Sequence, residues 1–172
     1  MNLFRDTLLK NIALVIFGWV IFYIDDKEFL EIYYTKWLII GLATFKTVFF
    51  FVQSIKKIFE TSDKEVSYHH FLIFMGINIV LIIISFTIDF ICLHQVDAHA
   101  FMGISANSSF FDICFEMLYF SVLGFNNLGF YDVIPMGKAA KILVMEEIFA
   151  YICTIIFILS DFMSLKESLL TI

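Results

Sequence analysis

The chain has 172 residues, 61% of them hydrophobic and only 16% charged, with 23 Phe, a single Pro and a formal net charge of −6. A mean hydropathy of +0.92 excludes a water-soluble domain of this size, and an integral membrane protein is expected instead.

In chain order, Arg5 and Lys10 lie at the start of a first apolar segment, residues 8–24. It is short for a bilayer that asks for about twenty mostly apolar residues per helix. No small-residue cleavage site follows, so it is read as part of the mature protein rather than as a secretory signal. The next connection is acidic, with Asp25, Asp26, Glu28 and Glu31 outnumbering Lys27 and Lys36. A second apolar segment, residues 34–55, contains Lys36 and Lys46. The connection 56–70 carries Lys56, Lys57 and Lys64. A third segment, 71–93, is the least interrupted, and a loop with His94, Asp97 and His99 follows it. Then come a short amphipathic run, 110–120, and a turn-rich stretch, 121–135. The fourth apolar segment, 139–159, contains Glu146 and Glu147, and Lys166 lies beyond it.

Lysine and arginine collect at the termini and in the 56–70 connection. The positive-inside rule therefore puts both termini and that connection in the cytoplasm of a cell membrane, in bacteria the inner membrane. Three regions follow: a two-helix hairpin with its cytoplasmic loop (1–70), a candidate pore module (71–161) and a short cytoplasmic tail (162–172). No helix carries an arginine at every third position, so a voltage sensor is not expected.

The stretch 121–135 reads Ser-Val-Leu-Gly-Phe-Asn-Asn-Leu-Gly-Phe-Tyr-Asp-Val-Ile-Pro. Irregular backbone at membrane depth persists only where it is buried in protein or lines a wet cavity. Its place between a short amphipathic run and an apolar segment suggests a re-entrant pore loop. Its residues resemble the potassium-channel pore family. Ser121 and Val122 match the end of the pore helix. Asn127, Leu128, Gly129, Phe130, Tyr131 and Asp132 fall on the six filter positions, Thr-Val-Gly-Tyr-Gly-Asp, and Pro135 closes the match without a gap. Lys141 stands where the family usually has a basic residue, and Glu147 where many bacterial members carry a mid-helix Glu.

The resemblance implies an all-α, multi-pass membrane protein: four transmembrane helices plus a re-entrant pore helix and loop, assembled as a homotetramer. Backbone carbonyls of four such loops would replace the hydration shell of a monovalent cation. Departures from the pattern imply altered selectivity. Tyr131 occupies the second glycine position, where a bulky residue at positive φ would be an outlier. Asn127 replaces a threonine, Phe130 lacks a tyrosine hydroxyl, Tyr151 takes the hinge-glycine position, and Leu123 replaces the acid that would meet Asp132.

The charges inside the apolar segments call for partners, since a charge near the bilayer centre costs about 2.5–3.5 kcal/mol on the insertion scale. Lys46 and Glu146, both near mid-depth, are expected to pair, or else Glu146 faces the cavity. Glu147, by the resemblance, takes a hydrogen-bonded role. The alternative has Lys46 reaching for the interface while both carboxyls are protonated or hydrogen-bonded. The outer acids, including Asp97 and Asp132, would make a negative vestibule, or simply a solvated loop. His94, Asp97 and His99 follow no ligand spacing and read as surface residues, so no metal is expected. Cys92, Cys114 and Cys153 read as packing residues, while Gly18 and Gly41 would allow close helix approach.

No nucleophile–base pair, phosphate loop or cofactor motif appears, so neither an enzyme nor a nucleic-acid binder is expected. Two functional classes remain. One is a weakly selective cation channel. The other is a non-conducting membrane sensor or scaffold that signals to a cytosolic partner protein. In size and architecture, rather than in any motif, the chain also resembles the membrane subunits of the bacterial Kiwa antiphage defence systems, which implies the second class.

Overall fold

The computed structural model describes residues 32–62, 68–105, 108–126 and 132–170. The expected first span, 8–24, and five filter positions, Asn127, Leu128, Gly129, Phe130 and Tyr131, lie outside the described residues. The described chain forms α1 (Ile32–Ser62), α2 (Tyr68–Val96), β1 (Phe101–Met102), α3 (Phe110–Phe125), β2 (Ile134–Pro135) and α4 (Lys138–Leu170).

Three of these helices are long and apolar enough to cross a membrane, over Tyr34–Gln53, Met75–Val96 and Lys138–Leu159. They fall on the second, third and fourth apolar segments. In each, a mostly apolar run without proline lets the helix satisfy its own backbone, as a hydrocarbon environment requires. The single proline, Pro135, lies in the edge pair β1–β2, just ahead of α4, where no helical N–H is lost.

α3 is different in length. Its 16 residues rise about 24 Å at 1.5 Å per residue, short of a hydrocarbon core of about 30 Å. A capping box starts it. The Ser109 hydroxyl accepts from the Asp112 backbone N–H at 3.2 Å, and the Ser109 N–H donates to the Asp112 carboxylate at 3.1 Å, satisfying donors that a helix N-terminus leaves free. The Ser109 hydroxyl, which donates to the Asp112 carboxylate at 2.7 Å, and then the Ser109 N–H hold the Asp112 carboxyl below its ordinary range. At the other end the Asn126 N–H and side-chain amide both donate to the Val122 carbonyl, at 3.2 and 2.7 Å.

A short antiparallel ribbon sits where α2 ends and α4 begins. Phe101 faces Pro135 and Met102 faces Ile134. The Met136 and Gly137 N–H groups donate to the Ala100 carbonyl at 2.9 and 3.4 Å. Gly103, at φ +105°, lies against the Asp132 carbonyl; a Cβ there would stand 1.8 Å from that oxygen. The rings of Phe90 (α2), Phe101 (β1) and Phe120 (α3) meet edge-on, with centroids 5.1–5.7 Å apart and all three buried. This triad fixes ribbon and short helix on α2 through aromatic geometry as well as buried area.

α3 packs on α2 and α4, and α1 packs on both of those. The last turns of α3 reach far along its neighbours. Ser121 meets Ile83 of α2 and Glu147 of α4, and the Phe125 ring stands edge-on to Tyr151 of α4 at 5.2 Å. Those residues lie in the middle of the Met75–Val96 and Lys138–Leu159 spans. Gly41, by contrast, has nothing within 4 Å of its Cβ position, so among the described residues it brings no helix close, contrary to the expectation.

Candidate functional site at the inner end of the short helix

Four ionisable side chains gather at mid-span. Lys46 of α1, 3% exposed, donates to both carboxylate oxygens of Asp89 of α2, 6% exposed, at 2.5 and 2.7 Å. The expected Lys46–Glu146 pair is thereby corrected. Asp89 faces α1 from within α2 and claims the ammonium with both of its oxygens, while Glu146 meets a hydroxyl. Reading the sequence missed Asp89, although a signal was present: it is the one charged residue of the segment 71–93. A single carboxylate in such a run cannot stay unpaired, so it was the natural partner for a lysine at the same depth.

Glu146 accepts from the Thr44 hydroxyl of α1 at 2.6 Å, and its other oxygen is buried with no partner among the described residues. Glu147 is fully buried. One of its oxygens makes a short hydrogen bond with the Ser121 hydroxyl of α3, and the other is buried with no described partner. Ser121, also fully buried, stands 3.1 Å from the Ile83 carbonyl, to which the Thr87 hydroxyl donates as well, at 2.8 Å. The consecutive acids of α4 thus face opposite ways: Glu146 toward α1, Glu147 toward α3. A cavity of about 20 Å³, lined in part by Thr47, Ser85, Asp89 and Thr154, adjoins the ion pair. A groove of about 450 Å³ between α1 and α4 carries Glu146 among Val48, Met145 and Phe149.

The remaining positions singled out from the sequence are spread along the fold. Asp132 is exposed, its backbone held against Gly103. Leu123 is half-buried, and Lys141 is exposed in the first turn of α4. Tyr151, at the hinge-glycine position, supports the Phe125 ring. Cys92 is buried, Cys114 and Cys153 half-buried, and all are free thiols. His94 packs on the Phe101 ring, and no group of metal-ligating side chains occurs among the described residues.

Asp97 is not a bare vestibule charge. Lys36 donates to its carboxylate at 2.6 Å and the His99 N–H at 3.1 Å. The Lys36 hydrogen bond is the main reason its carboxyl is held below the ordinary 3.8, and burial opposes it. The sign follows from linkage: a depressed folded-state value contributes stability above the unfolded value, and that contribution is lost as pH falls through the folded one. Asp97→Asn should therefore flatten the acid limb of a thermal-unfolding profile below about pH 4. The loss at neutral pH should be no more than about 1 kcal/mol, because the pair is partly solvated.

Chemically, the cluster joins one neutralised ion pair to two carboxyls held by hydroxyls, where three spans and the end of α3 converge. Comparison with known protein families, with curated proteins and with solved structures finds no match.

Proposed function

We propose that the chain is one subunit of a channel-like homotetramer in the cell membrane, with α3 as a re-entrant half-helix and residues 127–132 as a filter-type loop conducting monovalent cations with weak selectivity. One observation carries this reading. Both connections of α3 are tied together through the β1–β2 ribbon at one end of the spans, while its last turns lie against the middle of α2 and α4. A helix that enters from one face, stops at mid-depth and returns leaves its last carbonyls without helical partners. Lipid cannot satisfy them, so further protein or water must. Symmetric copies around an axis supply both, and the negative end of the helix dipole then favours a cation. Lysine placement supports cytoplasmic termini and a loop that opens outward.

Tyr131 at the second glycine position favours a second reading: a loop that no longer conducts, in a scaffold that passes a membrane signal to a cytosolic partner, such as the membrane component of an antiphage defence system. Cation flux through liposomes containing the purified protein separates the two. The channel reading expects potassium and sodium flux, exclusion of a bulky organic cation, and at least about tenfold loss in Gly129→Trp, since one substituted loop per subunit narrows the pore several times over. No flux from a properly assembled oligomer at any pH would remove the channel reading and leave the scaffold.

A further inference from the structure

Among the described residues, nothing around Glu147 satisfies an ionised carboxylate. It is fully buried, one oxygen has no described partner, and the other meets a single hydroxyl. An isolated buried charge of this kind is normally neutralised rather than tolerated. The charges that face it from the neighbouring helices, among the described residues, do not help. On α2 the group whose field reaches it is Asp89, itself an acid. On α1, Lys46 is already committed to both oxygens of Asp89. On α3, Asp112 and Glu116 lie toward the opposite end, and the last turns present only Ser121. On α4 itself, Glu146 turns away to Thr44.

The protonated acid fits every contact. A carboxylic acid has one O–H to donate, and a serine hydroxyl both accepts and donates. Glu147 then donates to the Ser121 oxygen, and Ser121 donates onward to the Ile83 carbonyl, which it shares with Thr87. We propose that Glu147 is a proton-binding site: its carboxyl proton, passed by hydrogen bonding through Ser121 to the backbone of α2, pins the inner end of α3 between α2 and α4. Loss of that proton breaks the relay, because the Ser121 hydrogen must turn to the carboxylate and leave the Ile83 carbonyl. The end of α3 is then held less firmly. Glu147 is thus a positioning residue, acting on the end of α3 through Ser121. Its effect on conduction rests on the pore-loop reading; the proton site itself does not.

The test is isotope-edited infrared spectroscopy of the assembled protein in lipid. The protein carries labelled glutamate in a Glu146→Gln background and is titrated from neutral to alkaline pH, with flux measured on the same samples. A protonated-carboxyl carbonyl band is expected at neutral pH, shifted by Ser121→Ala and abolished by Glu147→Gln. Flux should fall about tenfold as the band disappears, the scale of one lost buried hydrogen bond. Glu147→Gln, whose amide can still donate to Ser121, should keep full flux and lose the alkaline limb, while Glu147→Ala should be impaired at every pH. Should Glu147→Gln fail to assemble, the labelled band and its Ser121→Ala shift still decide the matter. No protonated band at neutral pH, or a band indifferent to both substitutions, would overturn the proton site. A flux profile with the same alkaline limb in Glu147→Gln would overturn its positioning role. The band without flux from any variant would uphold the proton site and sink the pore reading alone.

Discussion

Replacing Asp89 by Ala is expected to cost about 3–5 kcal/mol, because it strands the Lys46 ammonium in the middle of the bundle. The pair is nearly excluded from solvent, and both carboxylate oxygens are taken by one lysine. Lys46→Met should cost a similar amount for the converse reason, leaving a buried carboxylate uncompensated beside the Glu146 and Glu147 carboxyls. The double substitution, Lys46→Met with Asp89→Leu, should recover most of the loss, since replacing both ions with apolar groups removes the desolvation cost along with the attraction. Chemical unfolding in detergent or bicelles, with the yield of folded protein as a second readout, measures the cycle. Additive losses in the double variant would show that the two residues stabilise the bundle separately. Lys46 paired with Glu146 would predict instead that Glu146→Ala matches Lys46→Met; with Asp89 as the partner, Glu146→Ala should cost clearly less.

The second large effect is expected at Gly103. Its φ of +105° already disfavours any side chain, and a Cβ would lie 1.8 Å from the Asp132 carbonyl oxygen and 2.9 Å from its carbon. The obstacle is backbone, so no rotamer change relieves it. Gly103→Ala must displace either the turn after β1 or the segment from Asp132 into β2. A loss on the order of 3 kcal/mol is expected, combining conformational strain with the clash. On the channel reading proposed above, the displacement would reach the end of the filter-type stretch at Asp132, so altered selectivity should accompany the lower unfolding midpoint. Wild-type stability and flux in Gly103→Ala would mean that this contact does not hold the loop.

Much of the fold was legible from the residues in order. Three of the four expected spans, 34–55, 71–93 and 139–159, fall on helices long and apolar enough to cross a membrane, because a run without proline or frequent charge has one stable form in hydrocarbon. The run 110–120 is part of a longer helix, Phe110–Phe125, that continues through Ser121 and Val122. It runs on to Phe125 through Gly124, which inside a packed helix is tolerated at modest cost. The ribbon was not foreseen. Its two-residue strands are too short for a periodic signal, and they pair across more than thirty positions.

The candidate site was legible in its parts and not in its connections. Lys46, Glu146 and Glu147 announce themselves by type, because charge in an apolar run demands a partner. Which partner is a question of helix rotation. A lysine side chain can reach either neighbouring helix, and nothing in the spacing along α1 says whether it faces α2 or α4. The same holds for Ser121, an ordinary small residue until packing puts it between the Ile83 carbonyl and Glu147. What the amino-acid sequence determined by itself is that three runs are long and apolar enough to cross a membrane, since the transfer of apolar side chains out of water depends on composition and run length alone. Only the tertiary structure decided that Lys46 answers Asp89, that Glu146 and Glu147 part company toward different helices, and that α3 reaches the middle of its neighbours. Those outcomes depend on how helices separated by tens of residues rotate and settle against one another, a choice made by close packing and pairing in three dimensions.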